Sequence, residues 1–322
     1  MCPGCKSPKT VKKGLAKGVQ SYVCRACGRR FRAARRRARQ QSVRALWSAY
    51  VFGKQTVKQL SASLQRDKRG VCAVLQRYAS PDKQHVPRPI HLVVDGTYFG
   101  ERKEGRSWCA VVARDPYAHE NLLWSFEETE TTSAYASLRE GLEELGYTIL
   151  SVTADGFSGI KSAFHGIPFQ MCHVHMERLV IQGTTRKPQT EAGQVLLALT
   201  RTLHQKTNSH LFHTRLMDYL ERYRAFLNEK TIHPFSGEES WTHEDLRRAV
   251  FCLLRHEKYL FTHEHDQEIP KTTNSLEGHF RHVKKLLHVH HGTSKHTTQR
   301  ILHSIFLAST TAPNKKRLNE TI

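Results

Sequence analysis

Two aspartates carry the clearest chemical signal in the chain. Asp95 ends the apolar run His91-Leu-Val-Val, Asp155 follows the strand-like run 148–154, and a glycine comes directly after each. A carboxylate at the end of a buried strand is fixed by the sheet behind it and still reaches solvent. Two such hard oxygen donors brought side by side suit Mg²⁺ or Mn²⁺. Either aspartate alone reads equally well as a loop or helix cap, so the order and placement of the pair carry the signal. A second ligand set stands at the other end of the chemistry. Cys2-Pro-Gly-Cys5 and Cys24-Arg-Ala-Cys27 are two C-x2-C pairs separated by eighteen residues. That spacing lets both thiolates of each knuckle reach one tetrahedral Zn²⁺ at ~2.3 Å. One zinc is expected there, in a ribbon too small to fold without it; a redox pair is the alternative. Cys172 and His175 form half a ligand set with no second pair close by, and a structural role after the second aspartate is expected of them. Cys72, Cys109 and Cys252 read as core residues.

The elements that must position these groups follow from periodicity. Residues 91–95, 108–113 and 122–126 read as strands of an antiparallel meander, and 131–145 has one helical apolar face. Residues 148–154 form a further strand, 158–164 a helix, and 169–171 a short strand. Three strands, a helix and a strand, with acids ending the first and fourth strands, are the layout of a ribonuclease-H-like core. In that layout the two acid-bearing strands are neighbours, and a third acid comes from a later helix. Residues 191–206, 210–227 and 242–260 are helix-patterned. From residue 273 another helix turns Leu276, Phe280, Val283 and Leu287 inward, and Glu277 and Lys284, two turns apart, share a face.

Charge divides the chain. Its 322 residues carry 50 Lys+Arg against 29 Asp+Glu, a net of +21. Residues 1–90 hold 22 basic and 2 acidic side chains, while the other 232 hold 28 and 27. A basic front end of this kind is the footprint of nucleic-acid binding, since neutralised phosphates release counterions. Within it Arg29, Arg30, Arg32, Arg35, Arg36, Arg37 and Arg39 suit an arm along a phosphate backbone or in a minor groove; a localisation patch is the runner-up. Residues 42–78 read as a helix-turn-helix, with Thr56 as a cap and Lys68 and Arg69 presented to a major groove. A plain three-helix bundle shares that pattern. Pro81, Pro87 and Pro89 mark a linker. With 39% hydrophobic residues the chain can bury a core, and no apolar run approaches the ~20 residues of a membrane span. A soluble bacterial cytoplasmic protein is expected, nucleoid-associated when on DNA, with no membrane partner.

The runs Asp155-Gly-Phe-Ser-Gly-Ile, Phe169-Gln-Met-Cys172-His-Val-His175 and Thr272-Thr-Asn274-Ser-Leu-Glu277-Gly resemble bacterial insertion-sequence transposases of the mutator-related DDE superfamily. The resemblance covers roughly residues 88–310, and the zinc-ribbon front end is similar to that of other such transposases. It implies a catalytic triad of Asp95, Asp155 and Glu277 holding two Mg²⁺ or Mn²⁺ per active site. It also implies a helical insertion between the last core strand and the acid-bearing helix. Lys284 is implied to hold transposon-end DNA beside the metals, and Trp241 to stack on a base; a core tryptophan is the equal alternative.

The expected organisation is a multidomain α/β chain. A zinc ribbon and Arg-rich arm (1–40) precede a helix-turn-helix (41–85) and the first part of a ribonuclease-H-like core (86–180). An all-helical insertion (181–261), the remainder of the core (262–310) and a basic tail (311–322) follow. The expected activity is that of a DNA transposase. It would bind terminal inverted repeats, cut a phosphodiester and join the freed 3′-hydroxyl to target DNA, as a homodimer or higher synaptic complex. Two rivals stay open: a zinc-ribbon regulator with an inactive nuclease-like domain, and a ribonuclease-H-like nuclease without strand transfer.

Overall fold

The computed structural model describes residues 1–16, 19–32, 42–100 and 107–309. Arg35, Arg36, Arg37, Arg39 and the basic tail lie outside the described residues. The front end is a three-stranded antiparallel sheet, β1 (Thr10–Ala16), β2 (Val19–Cys24) and β3 (Arg30–Arg32), in the order β1-β2-β3. Three helices follow: α1 (Val43–Val51), α2 (Val57–Leu64) and α3 (Lys68–Gln76). Thr56 caps α2 in a reciprocal box with Gln59, and Asp67 caps α3 through the Gly70 amide, so the turn between them is set locally.

The body is built on one mixed sheet. β4 (Pro89–Phe99), β5 (Trp108–Asp115) and β6 (Glu120–Glu127) form the antiparallel meander. After α4 (Thr132–Glu144), β7 (Thr148–Ala154) pairs parallel to β4. Then α5 (Ser158–Ala163) leads into β8 (Phe169–Met171), parallel to β7, and the full order is β6-β5-β4-β7-β8. β5 is buried along its whole length, and its alternation explains why. Cys109, Val111 and Ala113 join a core with Ala134, Leu138 and Leu142 of α4. Trp108, Ala110 and Val112 face the other way. They meet the two C-terminal helices, α11 (Asn274–His288) and α12 (Lys295–Leu307). Helices on both faces thus require apolar residues at successive positions from Trp108 to Ala113, before the strand ends in the buried Arg114 and Asp115.

Between β8 and α11 lie α6 (His173–Thr184), α7 (Glu191–Arg201), α8 (Ser209–Arg222), α9 (Arg224–Leu227) and α10 (Glu244–His256). The expectation of an all-helical insertion needs correction. β9 (Lys230–Ile232) and β10 (Glu239–Trp241) form an antiparallel hairpin, closed by a turn in which Gly237 takes φ +70°. Both strands are exposed, so neither carries the apolar alternation that marks a strand. Trp241 accordingly ends a strand. Gly183 lets α6 approach α10 closely: a Cβ there would stand 2.3 Å from the Asp245 carbonyl oxygen.

The three-helix unit is no separate body. Trp47, Val71, Leu75 and Tyr78 share one core with Leu276, Phe280, Ile301 and Phe306 of α11 and α12. Trp47 Nε1 donates to Ser304 Oγ at 2.9 Å, and Trp47 stacks on Tyr78 with centroids 4.9 Å apart. Cys72 corrects another expectation, since it is exposed on α3 while Cys109 is buried and Cys252 half-buried. Among the described residues no helix is long and apolar enough to cross a membrane.

Candidate active site and cysteine cluster

The pairing register brings the two aspartates together. Val93 on β4 is level with Thr153 on β7, so two residues further along each parallel strand Asp95 and Asp155 stand side by side. Each is oriented locally, Asp95 Oδ1 accepting from the Gly96 amide and Asp155 Oδ1 from the Phe157 amide, both at 2.9 Å. Burial pushes the Asp95 carboxyl up to about 7, helped by the negative charges of Asp155 and Glu130 and opposed by His175. Glu130 is an acid that sequence reasoning missed. Gly96 explains how it enters: a Cβ at that position would lie 1.5 Å from Glu130 Oε1. Its own carboxyl is raised by burial and by Asp155.

Glu277 reaches the same place from the first turn of α11. It shares a cavity of about 680 Å³ with Asp95, His175, Arg178, Arg281 and Lys284, lined also by Lys285. Arg178, three residues after His175 on α6, donates to both oxygens of Glu277, at 2.9 and 2.7 Å. His175 Nε2 stands 3.7 Å from Glu277 Oε1. The Cys172-x2-His175 motif is the hinge of this arrangement. Cys172 is fully buried, and its Sγ receives the Thr273 amide at 3.4 Å. Burial opposes ionisation of Cys172, but the hydrogen bond and charge of His175 lower its pKa. His175 rises to about 9: burial works against the cation, and Cys172, Asp95 and Glu277 outweigh it. The motif therefore brings an imidazole whose pKa is raised to within 3.7 Å of Glu277, with Cys172 buried behind it.

Behind Glu277, α11 is held in register by a buried polar chain. Asn121 Nδ2 donates to His279 Nε2 at 2.8 Å, and Arg114 donates to Asn121 Oδ1 at 2.6 Å. Burial, with Arg114 and His282 nearby, pushes His279 down to about 3, consistent with its acting as a neutral acceptor. Lys284 lines the cavity with its ammonium 5.8 Å above the Phe99 ring. Arg281 and Lys285 add positive charge on the same wall. The cavity thus combines three expected residues, Asp95, Glu277 and Lys284, with cations that the sequence did not single out.

The remaining expected residues lie elsewhere. Lys68 and Arg69 are exposed in the first turn of α3. Trp241 is 39% exposed, with the Arg247 guanidinium 3.8 Å from its ring centroid, so one face is covered. Arg29 and Arg30 follow the second cysteine knuckle, Arg30 and Arg32 on β3. The four cysteines Cys2, Cys5, Cys24 and Cys27 form a cluster compatible with a zinc ribbon, their sulfurs all within 4.8 Å of one another. Cys2 Sγ is 3.7 Å from Cys27 Sγ, and Cys5 Sγ 3.5 Å from Cys24 Sγ. The sulfur–sulfur edge of a zinc tetrathiolate is about 3.8 Å for bonds of ~2.3 Å, so the donors fit. The thiols cannot all ionise unaided. Cys2 is drawn down to about 6, chiefly by the Cys5 amide. Cys27 is driven up to about 12, where the Arg29 amide opposes the shift and the other three thiols with burial overcome it.

Comparison with curated proteins finds no match. Among solved structures the chain is similar to a chain in a cryo-EM structure of the simian T-cell lymphotropic virus intasome with PP2A regulatory subunit B56 gamma. The identity is 13% and the TM-score 0.21, over 58% of this chain and 57% of that one. So low a TM-score says nothing about function, and the chain spans little more than half of that relative. A family model is more informative. Residues 49–286, from within α1 to the end of α11, match the Transposase IS66 family, and the protein belongs to that family.

Proposed function

We propose that Asp95, Asp155 and Glu277 are the metal-holding triad of a DNA strand-transfer site on a ribonuclease-H-like core. Membership of an insertion-sequence transposase family supports this reading, and the mutator-related grouping rests on the motifs alone. The observation that carries it is the register of β4 and β7, which makes neighbours of two aspartates 60 residues apart in sequence. The donors suit hard divalent cations: all are carboxylates, and burial, helped by Asp155 and Glu130, penalises the charged form of Asp95 in a way that a bound cation relieves.

When bound, Mg²⁺ or Mn²⁺ would sharpen the attacking water or 3′-hydroxyl and stabilise the leaving oxygen. The chain's own groups do the rest. Asp95 and Asp155 are fixed by the sheet and hold the oxygens of the site apart at a constant spacing. Glu277 completes the set once its carboxylate leaves the fork of Arg178. Arg178, Arg281, Lys284 and Lys285 then face phosphates, with the freed guanidinium replacing its carboxylate partner by a phosphodiester. His175 holds a proton at the edge of the cavity, anchored by Cys172 and Thr273.

The front end would bind the terminal inverted repeats of the element. The zinc-loaded ribbon, Arg29, Arg30, Arg32, Arg35, Arg36, Arg37 and Arg39 would follow the backbone. Lys68 and Arg69 of α3 would meet a groove, and Trp241 is the candidate for base stacking. Pairing two ends requires a homodimer or larger assembly. The test is to incubate the full-length protein with Mg²⁺, DNA carrying the element's terminal repeats, and a supercoiled target. Joined products at the repeat ends are expected. Repeat binding without cutting would favour the regulator, and cutting without joining would favour the simple nuclease.

A further inference from the structure

A second group of ligands lies at the opposite end of β4, outside the site described above. His91 is 6% exposed, and its Nε2 is buried without a hydrogen-bond partner. The atoms nearest in kind are two carboxylate oxygens, Asp266 Oδ2 at 3.5 Å and Glu268 Oε2 at 3.6 Å. Both contacts are too long to be good hydrogen bonds. They are close to the N···O edge of about 3.4 Å in a tetrahedral site whose metal–nitrogen and metal–oxygen bonds are ~2.1 Å. All three ligand atoms lie within 4.8 Å of one another.

The groups around these ligands are arranged to present them. His91 Nδ1 is 2.9 Å from Ser151 Oγ, a fully buried hydroxyl on β7. With Nδ1–H donating to that oxygen, Nε2 offers its lone pair outward, as metal-binding imidazoles do. Asp266 Oδ1 accepts from the Glu268 amide at 2.9 Å, which fixes the turn and leaves Oδ2 free. Glu268 is tied as well, its carbonyl accepting from the Tyr117 hydroxyl. A buried imidazole nitrogen without a hydrogen-bond partner is costly, and an ion shared with the two converging carboxylates would supply one.

We propose that His91, Asp266 and Glu268 bind a Zn²⁺ ion that fastens the segment leading into α11 to the start of β4. One imidazole with two carboxylates is a borderline donor set. Nitrogen ligation disfavours Mg²⁺, and Zn²⁺ lies above Mn²⁺ in affinity for such ligands. Three protein donors leave a fourth position for water. Asp266 and Glu268 are 46% and 79% exposed, so the ion has a path from solvent. His91 and Asp95 are four residues apart on a strand, about 13 Å, which separates this ion from the catalytic carboxylates. Hydrogen bonds also tie the backbone of this segment to β7 and α6. The Pro270 carbonyl accepts from Thr153 Oγ1 at 2.7 Å, and the Lys271 carbonyl from the His173 amide at 3.0 Å. Glu277 lies in the first turn of α11 just beyond, so the clip sets the position from which that acid is presented.

The test uses full-length protein equilibrated with Zn²⁺ alone as the probe, in excess Mg²⁺ to fill the carboxylates around Asp95. Metal content after dialysis should be one equivalent lower in the Asp266→Asn/Glu268→Gln double variant than in the wild type. Zn²⁺ affinity at that site should fall at least about 100-fold, beyond the usual loss for an outer-shell change. Both substituted side chains are exposed, so the double variant keeps its fold; His91→Gln provides an independent loss of the buried donor. Substitution with Co²⁺ separates this ion from the ribbon: the cysteine site gives intense sulfur charge-transfer bands, and the second equivalent gives weak bands without them. Zn²⁺ should raise the melting temperature of the wild type more than that of the double variant. Equal metal content and equal thermal shifts in the two proteins would overturn the proposal.

Discussion

Arg178 grips Glu277 through two parallel hydrogen bonds, at 2.9 and 2.7 Å, across 99 residues of sequence. The fork occupies both oxygens of the carboxylate proposed to complete the metal site, so metal and guanidinium compete for it. Arg178 is raised above its usual pKa, first by that hydrogen bond, with burial opposing. Half of its side chain is exposed, which keeps the pair near the strength of a good surface ion pair, about 1 kcal/mol. Arg178→Ala should therefore tighten Mn²⁺ binding to the DNA-free protein by about fivefold. Titration calorimetry reads this directly, and unchanged or weaker binding would show that Arg178 does not compete.

The wall of α11 makes a prediction about salt. Each phosphate contact removed from a duplex complex lowers the slope of log affinity against log salt by about 0.9. Removing Arg281 and Lys284 together should flatten the slope by roughly 2, with affinity lost evenly across sequences. Fluorescence anisotropy at several salt concentrations measures it. A slope equal to that of wild type would take both residues off the DNA.

Loss of the ribbon zinc should act on the front end alone. Cys24→Ser takes away the ion proposed to hold β1, β2 and β3, while the core joining α1–α3 to α11 and α12 contains none of the four cysteines. Terminal-repeat binding should fall at least about tenfold while the helical circular dichroism of the body stays unchanged. Binding that survives in Cys24→Ser would remove the ribbon from DNA recognition.

His279 links stability to pH. Its pKa is lowered on folding to about 3, so the unfolded chain takes up a proton that the folded chain does not. Its contribution is present above about pH 6.5 and is lost as pH falls from there toward 3. At pH 5 the loss from this one group reaches about 2 kcal/mol. Urea unfolding at pH 7.5 and 5.0 should show a smaller drop for His279→Gln, whose amide oxygen can still accept from Asn121. An identical drop in both proteins would contradict this linkage.

The sequence was most legible where burial is periodic. β4, β5, β6, β7 and β8 were foreseen within a few residues because their apolar positions face helices, and β7 and β8 matched at both ends. The β9–β10 hairpin was missed because all six of its strand residues are exposed and leave no apolar pattern. Cys72 was misread because its neighbour Val71 is buried, whereas one step around the helix turns the thiol to solvent. At the site, Asp95, Asp155 and Glu277 were singled out by motif order. Arg178 and Glu130 were not, since each matters only through a contact made across the fold. The spacing His175-x2-Arg178 on α6 was the available signal for Arg178, and it has meaning only once α11 is known to lie opposite.

We propose that carboxylates on β4, at the end of β7 and on α11 cut DNA with a divalent metal. The most direct measurement compares wild type with Asp155→Asn on a labelled duplex containing one terminal repeat, in Mg²⁺, following binding and nicking in the same samples. Repeat binding within about twofold of wild type is expected, with nicking reduced at least about 1000-fold, the loss expected when a metal-holding acid is neutralised. Nicking by Asp155→Asn at the wild-type rate would contradict the proposal.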